Sequence, residues 1–242
     1  MPRTIFVTGA SRGIGLATTE LILAEGSTVI ALQRTITPAL ETLAAKYPAT
    51  LHIVKGDIAK AEDVSTALSL TETLNGVVLN AALVLPYGAI ATIPLDGFRD
   101  IFEVNVFATV QFLQLALPKL RKTEGTVVLV SSAASEAGAK GIGAYAASKA
   151  ALNQLNRTLA VEEPDITAIA FHPGPVRTEG SATMQHEGKG HIDPALADAV
   201  MAVLIEPEVP GRAIRDLVFR AGKEYSGKYL HYDDPLVTSL SL

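Results

Sequence analysis

The sequence predicts an α/β fold with a doubly wound, mainly parallel sheet and helices on both of its faces. Three observations predict it. Short β-branched runs alternate with longer stretches of helical period. The strand runs are apolar at successive positions, as strands covered by helices on both faces must be. The chain has 242 residues, 48% of them hydrophobic, which supplies a core for one domain and requires no second.

Taken in chain order, TIFVT (4–8) reads as a strand, GIGLATTELILAEG as a helix, TVIAL (28–32) as a strand, PALETLAAKY as a helix and LHIVK (51–55) as a strand. EDVSTALSL gives a helix before the strand GVVLN (76–80), and a long helix runs from about Gly97 to Arg121. TVVLVS (126–131), a helix around Tyr145 and ITAIAF (166–171) continue the alternation, and SGKYLHYDDP is able to add a last strand. One stretch departs from it. From Pro173 to about Pro194, PGPVRTEGSATMQHEGKGHIDP is rich in Gly, Thr, Ser and His and has no clear period. A stretch this long inside a compact domain points to a functional lid, placed at about 178–194.

Composition narrows the function. The net charge of -5 is spread without long like-charge runs, which argues against a nucleic-acid or anionic-membrane surface and for small-molecule or protein partners. Cysteine is absent, so disulfides, thiolate metal sites and a cysteine nucleophile are excluded, in keeping with a reducing compartment. The five histidines, His52, His172, His186, His191 and His231, have no metal-binding spacing, and no metal is expected. MPRTIFVTGA is not a signal peptide, and no segment of the sequence approaches the ~20 apolar residues of a membrane span. The expectation is a soluble, cytoplasmic protein with no membrane partner.

Two motifs carry chemistry. Thr8 to Gly15, TGASRGIG, follows the first strand and places glycines at 9, 13 and 15. Glycines at a strand-to-helix turn admit a ligand close to the backbone, and the helix behind them offers free N–H groups and the positive end of its dipole to a pyrophosphate. The spacing is neither G-x-G-x-x-G nor a P-loop. In the second motif, AYAASKAAL (144–152), Tyr145 and Lys149 stand at i and i+4 on one helix face, where a phenol and an ammonium share a small volume. A neighbouring ammonium favours the phenolate, so the phenol is expected to titrate below its usual value of about 10.

Gly9-x-x-x-Gly13-x-Gly15 followed far downstream by Tyr145-x-x-x-Lys149 resembles the short-chain dehydrogenase/reductase family, over nearly the whole chain. The resemblance implies a Rossmann-type domain and a nicotinamide cofactor. It implies that Tyr145 donates the proton, that Ser132, 13 residues earlier, holds the substrate carbonyl oxygen, and that Lys149 tunes the phenol and bonds the nicotinamide ribose. Asn105, in EVNVF, matches the asparagine that orders a proton-relay water. Cofactor contacts carried over by the same match are Gly9, Ser11, Arg12, Gly13, Ile14 and Gly15 at the turn. Asp57 and Ile58 follow the third strand, Asn80 and Ala81 the fourth, and Pro173, Val176 and Thr178 lie on the nicotinamide side. Where the family often has Asn-Asn-Ala-Gly, this chain has Leu79-Asn80-Ala81-Ala82. Plainer roles stand beside these: Asp57 as a helix cap, Asn105 as a polar group steadying a helix kink, Ser131 as structural, and His172 as a packing residue at a strand end.

At the end of the second strand, where an NAD-specific site has a carboxylate, stands Gln33, followed by Arg34. With Arg12 close by, two guanidiniums are available for a 2′-phosphate, and NADP(H) is expected over NAD(H). The loops at 83–94 and 133–143 and the region after Thr178 are mainly apolar or small, which suits a neutral, partly hydrophobic ketone or diketone. FEVNVF, HPGPVRT and the SGKYLHYDD tail resemble the sepiapterin reductase and benzil reductase branch. Three functions remain open: an NADPH-dependent carbonyl reductase, an alcohol dehydrogenase or epimerase on the same site, and a non-enzymatic cofactor sensor. A homo-oligomer, dimer or tetramer, is expected from apolar residues on more than one stripe of the two long helices: Phe107, Ala108, Phe112 and Ala116 on one, Ala150, Ala151 and Leu155 on the other.

Overall fold

The strands of the computed structural model, which describes residues 2–241, are β1 (Thr4–Thr8), β2 (Thr28–Gln33), β3 (Leu51–Lys55), β4 (Gly76–Leu79), β5 (Thr126–Val130), β6 (Thr167–His172) and β7 (Tyr229–His231). They form one parallel sheet in the order β3-β2-β1-β4-β5-β6-β7. Strand order reverses between β1 and β4, and the crevice beyond their carboxyl ends is where doubly wound sheets bind ligands. The connections carry the helices α1 (Gly13–Ala24), α2 (Pro38–Lys46), α3 (Ala61–Leu68), α4 (Leu95–Phe102), α5 (Ala108–Leu120) and α6 (Gly143–Glu162). After β6 come α7 (Glu179–Glu187), α8 (Pro194–Ala202) and α9 (Glu208–Arg220).

The sheet divides two cores, and the two-residue period of its strands decides which side chain joins which. Ile5, Val7, Val78 and Val128 face one core, built with α1 and α9. Phe6, Val77, Leu79, Val127 and Leu129 face the other, where Phe112 and Leu120 of α5 cover them. The rings of Phe6 and Phe112 meet edge to face with centroids 4.8 Å apart.

Three stretches differ from expectation. The long helix is α4 continued by α5, with a π-helical turn at Glu103–Phe107 between them. Residues 95–120 thereby join into a helix of 26 residues, long and apolar enough by length and composition to cross a membrane, which corrects the reading that no segment is. Ile101, Val106, Phe112 and Ala116 are buried inside the protein, as in a core helix. The irregular stretch contains α7, started by a capping box in which Thr178 and Ser181 satisfy each other's backbone N–H groups, and α8 follows it. Neither helix has a buried residue, so neither shows an apolar period. The helix α9 has no counterpart in the sequence reading; Pro210 and Gly211 lie in its first turn, where a backbone N–H has no partner within the helix and proline is tolerated.

Candidate active site

The glycine turn is fixed by close backbone approach. Gly9 and Gly13 have φ of 68° and 53°, a region side chains avoid. A Cβ on Gly15 would stand 2.2 Å from the Gly9 carbonyl oxygen and 2.7 Å from Asn80 Nδ2. Asn80 holds the turn: its amide donates to the Thr8 and Gly9 carbonyls at 3.1 and 3.2 Å, and its backbone N–H donates to Thr8 Oγ1 at 3.0 Å. The carboxyl ends of β1 and β4 are thus pinned together at the crevice.

A groove of about 400 Å³ opens there. Gly9, Ser11, Arg12, Gly13 and Ile14 form its floor, with Arg34, Asp57, Ile58, Asn80 and Ala81 along one side and Thr178 and Glu179 on the other. Thr178 faces the turn closely, since a Cβ on Gly13 would lie 3.0 Å from its methyl group. Asp57 braces its own bend, Oδ1 accepting from Ala59 N at 3.0 Å. Gln33 is buried, and its Oε1 has no hydrogen-bond partner. Among the described residues Arg34 is in no ion pair, whereas Arg12 pairs with Glu179. This set fits a dinucleotide: a cradle that no side chain can enter, an unpaired acceptor at the β2 end, and a guanidinium free at the rim. Gly15, Pro173 and Val176 do not line the groove; Gly15 lies beneath it, and Val176 bridges to Ile205 at the base of the α7–α8 segment.

Ser132 follows β5 and starts a 3₁₀ turn (Ala133–Ser135), and Tyr145 and Lys149 lie on α6. The structure brings the three together. The Ser132 side chain lies beside the Tyr145 hydroxyl, close enough to affect its titration, and the Lys149 ammonium lies 5.6 Å from the Tyr145 ring centroid while donating to the Val130 carbonyl at 2.7 Å. Asn105 lies in the π-helical turn, buried, and joins three elements. It accepts from Leu83 N at 2.7 Å, donates to Leu83 O at 2.9 Å, and donates to Ser148 Oγ at 3.0 Å. Leu83 and Val104 line the groove, so Asn105 couples the groove wall to the helix bearing Tyr145 and Lys149.

The electrostatics correct one expectation. Burial raises the Tyr145 phenol above its usual value, and the neighbouring Ser132 side chain offsets this only in part. Lys149 is pushed down to about 8 by burial and so is still charged at neutral pH, yet burial decides the direction of the phenol's shift. The phenol therefore stays protonated through neutral pH.

Ser131 has the structural role expected of it: next to Ser132 at the end of β5, it donates to Asn153 Oδ1 at 2.6 Å and so binds the strand to α6. Asn153 stands at i+4 from Lys149, a spacing that marks it as a neighbour on the same face. Tyr87, pushed up to about 12 by burial and by the nearby Tyr145 and Glu187, and Tyr229, also close to Tyr145, approach from distant parts of the chain. Local sequence carries no signal for either.

Residues 3–189 match the family model of short chain dehydrogenases. The chain belongs to this family, and with it to oxidoreductases that use a nicotinamide cofactor. An uncharacterised oxidoreductase of Schizosaccharomyces pombe is 40% identical over 76% of this chain and 75% of its own. A benzil reductase of Saccharomyces cerevisiae that forms (S)-benzoin is 30% identical over 97% of each chain. In fold, the crystal structure of a short-chain dehydrogenase/reductase from Saccharomyces cerevisiae superposes with a TM-score of 0.93 at 29% identity, covering 98% of this chain and 99% of the other.

Proposed function

We propose that the protein is an NADPH-dependent reductase of ketone or diketone carbonyls, with Tyr145 as the proton donor. The observation that carries this is the gathering of Ser132, Tyr145 and Lys149 at one place, with burial holding the phenol protonated. A bound nicotinamide supplies a hydride and no proton. The oxyanion that develops on the carbonyl oxygen needs both a donor and a proton. Ser132 Oγ donates a hydrogen bond to that oxygen, and Tyr145 transfers its hydroxyl proton to it. The ammonium of Lys149 stabilises the phenolate left behind and holds the ribose. Gly9, Gly13, Gly15 and the α1 N-terminus hold the pyrophosphate, and Arg34 with Arg12 holds the 2′-phosphate.

A diketone substrate is supported by the benzil reductase relative and by the apolar stretch Leu83, Val84 and Leu85 along the groove. NADPH consumption across aliphatic and aromatic ketones, 1,2-diketones and pterins tests it. Turnover of 1,2-diketones above simple ketones is expected; oxidation of alcohols by NADP without any carbonyl reduction would overturn it.

Two further readings accompany this function. The segment 178–194 acts as a lid, tied to the glycine turn through Arg12 and Glu179. The chain also forms a dimer through α5 and α6. Ala108, Phe112 and Ala116 turn inward, so the expected stripe narrows to Phe107, Ala150, Ala151 and Leu155; Phe107, Ala151 and Leu155, joined by Val110, line an apolar hollow of about 610 Å³ with Phe107 56% exposed. A monomer by light scattering at micromolar concentration would refute the dimer.

A further inference from the structure

The turn after Ser132 has its polar groups assigned one by one. The Ser132 carbonyl accepts from Ser135 N at 2.9 Å and from Ser135 Oγ at 2.6 Å. Ser135 Oγ accepts from Asn153 Nδ2 at 2.8 Å, which ties the turn to α6. Ser132 Oγ accepts from Ala134 N at 3.2 Å. The N–H of Ala133 finds its partner outside the turn: it donates to Nδ1 of His172 at 3.2 Å. That peptide follows Ser132 directly, and its orientation is set by the Ser132 ψ of 151°. Whatever holds the Ala133 N–H therefore limits rotation of Ser132 itself.

His172 is well placed to hold it. It closes β6 in register with His231, its carbonyl accepts from Tyr232 N at 3.0 Å, and the two imidazoles meet edge to face with centroids 4.9 Å apart. A neutral imidazole has one acceptor nitrogen and one N–H. With Ala133 donating to Nδ1, the ring proton belongs on Nε2. Burial and the nearby His231 push the His172 pKa down to about 4, against a weaker opposite pull from Asp233, so the acceptor persists through the neutral range.

We propose that His172 is a positioning residue for Ser132, accepting the Ala133 N–H and thereby fixing the serine hydroxyl for the carbonyl oxygen. This rests on the reading of Ser132 as the group that holds that oxygen. Packing and hydrogen bonding at His172 separate in a crossed pair of variants. His172→Phe keeps a ring against His231 and removes the acceptor; His172→Asn removes the ring and keeps an acceptor near the Nδ1 position.

With NADPH and a 1,2-diketone, His172→Phe is expected to lower kcat and kcat/KM together by roughly tenfold, the scale of one lost hydrogen bond. His172→Asn should stay within about threefold of the parent, and NADPH binding, read by cofactor fluorescence, should be unchanged in both. The reverse pattern, or equal loss in both, would overturn the proposal. If His172→Phe fails to fold, the Asn variant decides: parental kcat without the ring supports the proposal and a tenfold loss refutes it. Ser132→Ala separates the two levels of inference. Parental turnover in that variant removes the reading of Ser132, whereas a large loss, with no further cost on adding His172→Phe, places the histidine's effect in the serine.

Discussion

The two walls of the groove are built in opposite ways. The glycine turn is locked by backbone: Gly15 is buried, Asn80 bonds two successive carbonyls, and the strand beneath has no exposed side chain between Ile5 and Val7. The facing segment reaches the groove through Thr178, Glu179, Gly180 and Thr183; neither α7 nor the α8 that follows it has a buried residue, and the connection between them buries Ile192. It is fastened by the Val176–Ile205 bridge and by ion pairs such as Arg12–Glu179 and Arg177–Glu206. The first wall is fixed by close backbone packing. The second has few apolar contacts, the condition that the proposed lid requires.

Glycine substitutions test this contrast with the largest expected effect. Gly15→Ala presses a methyl group into the Gly9 carbonyl; a cost of about 3 kcal/mol is expected, or roughly 6–12 °C in melting temperature, with NADPH binding lost. Gly190→Ala, between α7 and α8, meets nothing within 4 Å although its φ is 83°. Only the positive-φ strain applies there, about 1 kcal/mol, and the melting temperature should fall by no more than about 4 °C. Equal shifts in thermal melts would erase the distinction between the walls.

Arg34→Ala comes next. Only a 2′-phosphate loses a partner, so NADPH should weaken by roughly ten- to a hundredfold while NADH is little changed. Equal weakening of both cofactors in titrations would contradict the assignment. A smaller effect concerns pH. Because burial pushes Lys149 down to about 8, its ammonium is present below that pH and lost above it. Reductase kcat should fall as pH rises through about 8, by no more than tenfold per unit. Lys149→Arg should remove this limb from whatever activity remains, since arginine stays charged. The smallest effect belongs to Glu179→Gln. Both partners of the Arg12–Glu179 pair are more than half exposed, 52% and 64%, so the contact is worth at most about 1 kcal/mol. Freeing Arg12 should tighten NADPH by no more than about fivefold, read by fluorescence titration; weaker binding would show that Glu179 does not compete for Arg12.

The same contrast explains what is legible in the sequence. The locked wall is legible because its causes are local: β-branched runs make the strands, and three glycines at 9, 13 and 15 make the turn. The first five strands end within one residue of expectation, a margin set by whether the last ladder hydrogen bond forms. The helix α7 is not legible, because nothing from Pro173 to about Pro194 repeats with helical period. The π-helical turn at Glu103–Phe107 is hidden for another reason: Asn105 there bonds to Leu83 and Ser148, 22 and 43 residues away, and local sequence does not encode such partners. Ser132, Tyr145 and Lys149 are found by order and spacing. The direction of the Tyr145 shift is not, because spacing gives the distance of a charge and not the depth of burial.

The central claim is that the Tyr145 hydroxyl is the proton donor of an otherwise intact NADPH site. Steady-state reduction of a good 1,2-diketone by Tyr145→Phe, measured beside NADPH binding, tests it most directly. The phenol oxygen is the only heavy atom removed, so cofactor affinity should remain parental while kcat falls by about 10²- to 10⁴-fold. Reduction as fast as in the parent protein would contradict the claim and assign the proton to another group.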